Sequence, residues 1–413
     1  MFIAGFLAAV TLLVVFSWMC VTKEAKVKIS IVTGPWLPVP PLQGGAVPRL
    51  WQGLAEEFAA IGHQVTILSR SYPGQPQQET LNGVRYARHI GFPQSRSIAR
   101  DLLKDLVYAL AMIPVLPRAD ILVINDFWLP VFAWALRPNA GRIVINANRF
   151  PKGQYYLYAG ATRIAAASRA IQEAIAHQYP AATSRIRVMP NPIDTRVFSP
   201  PISPRPVREN KTILYVGRIH PEKGIHLLLD AFAILTKQLP QVKLRILGPV
   251  KESQGGGGED YLRTLHSKVK GLSVEFSPAI FDLDKLVDAY RDADLFCYPS
   301  LAEKGESFGV APLEAMATGL VPVISDLACF RDFIEEGKTG YFFEHRSPDA
   351  AKNLSMALAS AILNWETTCQ MGLKAAQTAL QYSYEQVAGL YLADFEELLS
   401  SKPSSKTSMV KEY

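Results

Sequence analysis

The sequence predicts an α/β fold made of two parallel-sheet domains. Three observations point that way. Short apolar runs alternate with helical periodicity along most of the chain, the pattern of strand–turn–helix units. A proline-rich break with few apolar residues divides that series near its middle. The length, 413 residues, exceeds one ordinary domain and suits two.

The first series begins with a strand at residues 27–32. Gly44-Gly45 makes a turn, and Pro48 suits the first turn of a helix. Its apolar face is Leu50, Trp51, Leu54, Phe58 and Ile61, and Gly62 is placed to end it. Further strands fit 65–68, 121–124, 142–145 and 187–189. Residues 198–212, with Pro200, Pro201, Pro204 and Pro206, read as a linker. The second series has strands at 213–216, 243–247, 274–276, 295–298 and 321–324. Gly255 to Gly258 reads as a flexible loop, and no Gly-Lys-Ser/Thr follows it as a phosphate loop would require. A final helix over 384–399 carries Val387, Leu390, Tyr391, Phe395 and Leu398 on one face. The predicted organisation is an apolar helix at 1–22, domains at 23–197 and 213–383 joined by that linker, a C-terminal helix at 384–400 returning toward the first domain, and a polar tail at 401–413.

Composition excludes several classes. Apolar residues make up 49% and charged residues 19%, which excludes wholesale disorder. Phe2 to Val21, 20 residues without a charge, is the one stretch long enough to span a bilayer, so a polytopic membrane protein is excluded. Lys23, Lys26 and Lys28 follow it. A signal-anchor that leaves the body of the chain on the cytoplasmic face satisfies the positive-inside rule. If the start codon is misassigned, the chain is a soluble cytoplasmic protein. Lys and Arg number 43 against 37 Asp and Glu, a net +6. That excess fits an anionic ligand or the inner membrane surface, and no motif for nucleic acid accompanies it. Cys20, Cys297, Cys329 and Cys369 form no CxxC pair, which argues for a reduced compartment without a disulfide framework.

Two stretches carry chemistry. In Tyr215-Val216-Gly217-Arg218-Ile219-His220-Pro221-Glu222-Lys223-Gly224, a strand delivers two cations to a tight turn before a helix. Two fixed cations beside a helix N-terminus suit a diphosphate. The second stretch, residues 299–319, sets Glu306 on the loop after a strand and Glu314 inside the next helix, with Gly309 at the helix start. Carboxylates accept hydrogen bonds from vicinal hydroxyls. Cations for a diphosphate and acids for hydroxyls together specify a nucleotide sugar. Asp282-Leu283-Asp284 and Asp292-Ala293-Asp294 read as helix-boundary acids rather than metal ligands.

On the Gly-Arg-x-x-Pro-x-Lys-Gly turn and the Glu-x7-Glu segment followed by Ala-Met-Ala-x-Gly, the chain resembles glycosyltransferase family 4, retaining enzymes of GT-B fold. Gly44-Gly45, Gly62-His63-Gln64-Val65 and Pro190-Asn191-Pro192-Ile193-Asp194 are similar to further family segments, with Pro192 in place of a glycine. The resemblance covers roughly residues 27–400. It implies that Arg218 and Lys223 bind the donor diphosphate, that Glu306 holds donor-sugar hydroxyls, and that Glu314 holds the ribose. The backbone at Gly44, Gly45, Gly217, Phe308 and Gly309 would approach the donor. It also implies no cofactor and no metal, because Arg and Lys supply the positive charge.

Many family members carry a histidine in the first domain facing the reacting sugar. His63, His89 and His177 are the histidines available there; His63 fits the strand-entry segment and His177 an amphipathic helix, and Asn146 and Asn148 stand where the family histidine is expected. Asn125, Asp126, Asn146, Asn148, Arg149 and Lys152 are therefore candidates for acceptor or sugar contacts, with a plain surface loop equally open for 149–153. Residues 277–280 are the candidate base site. The implied activity is transfer of a hexose from a nucleoside diphosphate sugar to a saccharide or lipid-linked saccharide, in cell-surface polysaccharide synthesis. A sugar-nucleotide epimerase or hydrolase, and a catalytically silent nucleotide-sugar-binding subunit, are the alternatives.

Overall fold

The computed structural model describes residues 26–42, 44–95, 97–202 and 208–401. The apolar segment at 1–22 lies outside the described residues, as does the tail beyond Ser401. Among the described residues no helix is long and apolar enough to cross a membrane.

Two sheets form. The first has eight strands: β1 (Lys28–Val32), β2 (Gln64–Arg70), β3 (Gln78–Leu81), β4 (Val84–His89), β5 (Ile121–Ile124), β6 (Arg142–Ala147), β7 (Arg163–Ala166) and β8 (Ile186–Val188). Their order is β3-β4-β2-β1-β5-β6-β7-β8. All neighbours run parallel except the β3–β4 hairpin at the edge. The second sheet is wholly parallel: β9 (Thr212–Val216), β10 (Lys243–Leu247), β11 (Val274–Ser277), β12 (Leu295–Tyr298), β13 (Val321–Ser325) and β14 (Tyr341–Phe343), in the order β11-β10-β9-β12-β13-β14.

In each sheet the chain winds outward one way and then the other, so the order reverses at β1/β5 and at β9/β12. Ile29 pairs with Ile121 across the first junction and Ile213 with Leu295 across the second. Ligands of open parallel sheets bind outside the strand C-termini at such switch points. The central strands are buried on both faces, which is why they read as continuous apolar runs. Four strands were not expected. β3 and β4 belong to a polar edge hairpin, and β7 and β14 are only four and three residues long.

Helix α1 (Ala46–Ile61) buries Leu50, Trp51, Leu54 and Phe58. Gly62 ends it at φ +106°, where its N–H bonds to Ala59 O and that of His63 to Phe58 O. Ile61, expected on the buried face, is 55% exposed because it lies in the last turn. Helices α2 (Ile98–Met112), α3 (Leu129–Leu136) and α4 (Arg169–Gln178) complete the first unit. The second unit holds α5 (Ile225–Gln238), α6 (Gly258–Lys268), α7 (Leu283–Arg291), α8 (Val310–Ala317), α9 (Ala350–Leu363) and α10 (Trp365–Ala379). Residues 255–257 form an ordered turn instead of a loose loop. The Gly256 N–H bonds to Lys251 O and the Gly257 N–H to Ile219 O.

The last helix, α11 (Tyr384–Ser400), packs on α1. Tyr391 meets Trp51 edge-on at 5.4 Å, and Phe395 meets Phe58 at 6.0 Å. Each such pair adds about 1 kcal/mol beyond its buried area. Arg163 of β7, itself buried, holds Asp394 at 2.9 Å and Glu397 at 2.9 Å. Leu390, expected on the packed face, is exposed. Phe198, in the predicted linker, packs on Tyr290 in the second core.

Candidate active site

The turn after β9 and the loop after β12 flank the switch point of the second sheet. They are knitted together by backbone. Leu301 N–H donates to Glu222 O at 2.8 Å. Gly224 sits at φ +68°, and a Cβ there would lie 2.0 Å from Pro299 O, so only glycine fits this crossing. The result brings Lys223 against Glu306, 83 residues apart. Lys223 Nζ lies 2.6 Å from Glu306 Oε2, and both side chains are under one-tenth exposed. Ser300 Oγ donates to the same oxygen at 3.0 Å. Burial and the nearby Glu306 charge push the Tyr298 phenol upward. The ammonium has three N–H donors, so two remain for a ligand.

Arg218 stands at the mouth of the same turn. One guanidinium nitrogen lies 2.5 Å from Glu222 Oε1 and another donates to Gly255 O at 2.9 Å. Its side chain is 41% exposed. The Tyr215 hydroxyl donates to Arg218 O at 2.9 Å and steadies the backbone. Gly217 leaves no room for a Cβ, which would lie 2.7 Å from that hydroxyl.

Gly309 caps α8 at φ +84°, with Phe330 filling the space a Cβ would need. The Phe308 ring turns into the core against Phe333 and Tyr382, which leaves its backbone on the loop. Glu314, one turn into α8, is buried. Burial raises its carboxyl to about 7, while the Tyr290 hydrogen bond and the charge of Arg49 oppose the rise. The Tyr290 hydroxyl donates to Glu314 Oε2 at 2.9 Å. Arg49 lies in the first turn of α1, so its charge reaches Glu314 from the other unit.

The first sheet contributes a polar cluster at its own switch point. Asn125, just after β5, accepts from Trp51 Nε1 at 2.7 Å and Asn146 Nδ2 at 2.6 Å, and donates to Val32 O at 2.8 Å. Asn125 and Asn146 thus bind β1, β5, β6 and α1 to one another. Asp126 lies beneath Gly34. Both of its carboxyl oxygens are buried without a hydrogen-bond partner, as is Asn148 Oδ1. Burial, and then Asp105, raise the Asp126 carboxyl well above the carboxylate range. Asp105 on α2 accepts the N–H groups of Phe127 at 3.1 Å and Trp128 at 2.9 Å. Arg149 and Lys152 are exposed on the next loop.

His63 accepts from the Val27 N–H through Nδ1 at 3.2 Å, a strand-entry contact. Asp282 caps α7, accepting from the N–H groups of Asp284 and Lys285, and Asp294 accepts the Thr212 N–H. Sequence reasoning missed Glu222, Tyr298, Ser300, Arg49, Tyr290 and Asp105. Glu222, Tyr298 and Ser300 lie within or beside the two motif stretches. The other three come from distant helices and carry no local signal.

Comparison with known proteins shows the family. Residues 44–197 match the model for "Glycosyltransferase Family 4" and residues 202–378 that for "Glycosyl transferases group 1". The chain belongs to the group 1 glycosyltransferases of family 4, and it is a transferase of GT-B fold. The phosphatidyl-myo-inositol mannosyltransferase of Mycobacterium leprae (strain TN) is 28% identical over 372 residues, covering 87% of this chain and 94% of the relative. The D-inositol 3-phosphate glycosyltransferase of Paenarthrobacter aurescens (strain TC1) is 29% identical, covering 61% of each. Among solved structures, sucrose-phosphate synthase from Thermosynechococcus elongatus superposes with a TM-score of 0.72 at 20% identity, over 91% of this chain and 99% of that one. Anabaena HepE in complex with UDP-glucose gives 0.68 at 17% identity, over 90% and 100%.

Proposed function

We propose that the protein transfers a hexose, with retention, from a nucleoside diphosphate sugar to a hydroxyl of a saccharide or lipid-linked acceptor at the cytoplasmic face of the membrane, in cell-surface polysaccharide synthesis. The observation that carries the reading is the buried Lys223–Glu306 pair beside Arg218 at the second sheet's switch point. In this reading Lys223 and Arg218 face the diphosphate, Glu306 holds sugar hydroxyls and Glu314 the ribose. The acceptor oxygen replaces the diphosphate oxygen at the sugar carbon. Positive charge fixed in advance against the leaving diphosphate lowers the barrier, and removing one such group commonly costs about 10²-fold or more. The same two cations supply the charge that a metal supplies elsewhere.

Neighbours solved with UDP and UDP-glucose support a nucleoside diphosphate donor. Relatives named for phosphatidyl-inositol and inositol phosphate support a polyol or lipid-linked acceptor. The acceptor side is assigned to the first sheet's switch point, where Asp126 and Asn148 keep buried oxygens without partners. The test is incubation of the full chain with radiolabelled donors and a lipid extract. Labelled lipid or saccharide supports transfer. An epimerised or hydrolysed nucleotide, or binding without turnover, overturns it.

A further inference from the structure

The turn that carries Glu306 is fastened at two points. Residues 302–306 close on Ala302 O, which accepts the Gly305 N–H at 3.0 Å and the Glu306 N–H at 2.9 Å. At one end of the turn Glu306 is held by Lys223 and Ser300. At the other end Glu303 is held by the two residues that follow Glu344, just past β14. His345 Nε2 donates to Glu303 Oε1 at 2.8 Å. Arg346 places Nε 2.8 Å from the same oxygen and donates from a terminal nitrogen to Oε2 at 3.1 Å. A two-pronged guanidinium contact fixes a carboxylate in orientation as well as in place.

The clamp is itself anchored. Arg346 also donates to Asp326 O at 3.2 Å, just past β13, and the Asp326 N–H donates to Phe343 O at 3.2 Å. The His345 side chain is 3% exposed and meets Phe343 edge-on at 6.4 Å. Its Nδ1 has no hydrogen-bond partner among the described residues, so Glu303 is the polar contact that orients the ring. Burial works to raise the Glu303 carboxyl, yet the hydrogen bonds from His345 and Arg346 outweigh it and hold the group below its ordinary value.

The use of a second fastening follows from the task given to Lys223. In the proposed function its ammonium is shared between Glu306 and the donor diphosphate. The Lys223–Glu306 bond is then weakest when Glu306 has to be aimed at sugar hydroxyls. A turn held only through that bond would have to be ordered anew at each binding event, which weakens binding. The Glu303 fastening does not involve Lys223. We propose that Glu303 is a positioning residue: clamped by His345 and Arg346, it holds the 302–306 turn so that Glu306 stays aimed while Lys223 engages the donor. This deepens the proposed function and rests on it for what Glu306 contacts.

The test is hydrogen exchange by mass spectrometry on the full chain, comparing the parent with Glu303→Ala and Glu303→Gln. In Glu303→Ala, peptides holding the Gly305 and Glu306 amides should exchange about tenfold faster, as in a local opening, while those of β12 and β13 keep their rates. Glu303→Gln retains an oxygen that accepts from His345 and Arg346, and should restore most of the protection. Unchanged exchange at 305–306 in Glu303→Ala overturns the proposal. A rise that spreads equally through β12 and β13 also overturns it, by assigning Glu303 to general stability. Kinetics give the second readout. For whichever labelled nucleoside diphosphate hexose the parent turns over, Glu303→Ala should raise the donor KM about tenfold and leave kcat within about twofold, because the ordering cost falls on binding. A fall in kcat at unchanged donor KM overturns the proposal. A parent inactive on every donor overturns the transferase reading instead, and the exchange rates then decide alone whether Glu303 holds the turn.

Discussion

Replacing Lys223 with methionine keeps the side chain's length and removes the ammonium 2.6 Å from Glu306 Oε2. The carboxylate stays buried, now held only by Ser300. Breaking a buried pair by removing one partner costs about 3–5 kcal/mol. Because the Ser300 hydrogen bond to the carboxylate persists, the lower end, about 3 kcal/mol, is expected. Lys223→Met with Glu306→Gln removes both charges together. Such replacements of a whole pair are often neutral, so stability should return to within about 1 kcal/mol of the parent. Activity should not return, since the cation proposed to face the diphosphate is gone, a loss of about 10²-fold or more. Urea denaturation of the single and double variants, with donor turnover measured in parallel, reads both. A double variant no more stable than Lys223→Met would refute the pairing argument. Near-parent turnover in the double variant would refute the site.

Further outcomes follow from other parts of the molecule. Glu314 is held up to about 7 from the ordinary 4.5, so its stabilising contribution, about 3 kcal/mol, is fully present below pH 4.5 and lost as pH rises through about 7. Glu314→Gln should flatten that slope in thermal melts from pH 5 to 8. In the proposed role of Glu314, the ionised carboxyl accepts ribose hydroxyls better, so nucleotide affinity by calorimetry should strengthen between pH 6 and 8 in the parent, and not in the variant. Gly224→Ala forces a Cβ to 2.0 Å from Pro299 O at φ +68°; unfolding curves should show a loss of at least about 1–3 kcal/mol, with turnover falling too. Arg163→Met leaves Asp394 buried without its close cation, and should cost about 3 kcal/mol by denaturant midpoint.

Legibility followed physical locality. The strands 121–124, 243–247 and 295–298 stand where their apolar runs place them, because strands buried on both faces need continuous apolar sequence. The short β7 and the polar β3 lack that signature. Arg218, Lys223, Glu306 and Glu314 were legible because two compact segments carry them. Arg49 and Asp105 were not, since each reaches its partner from a helix far away in sequence. Asn125 and Asn146 read as ligand groups, yet they spend hydrogen bonds on each other, a pairing that only adjacency of β5 and β6 creates.

The sequence by itself determined the class of fold, the two-part division and the charged turn after β9, because periodicity, turn chemistry and local spacing are properties of neighbouring residues. Only the tertiary structure decided that Lys223 spends one donor on Glu306, that the charge of Arg49 reaches Glu314 from the other unit, and that Asp105 of α2 holds the turn after β5. Those outcomes depend on which strands lie side by side and which helix faces are covered, and sheet order is set by long-range packing that no local segment encodes.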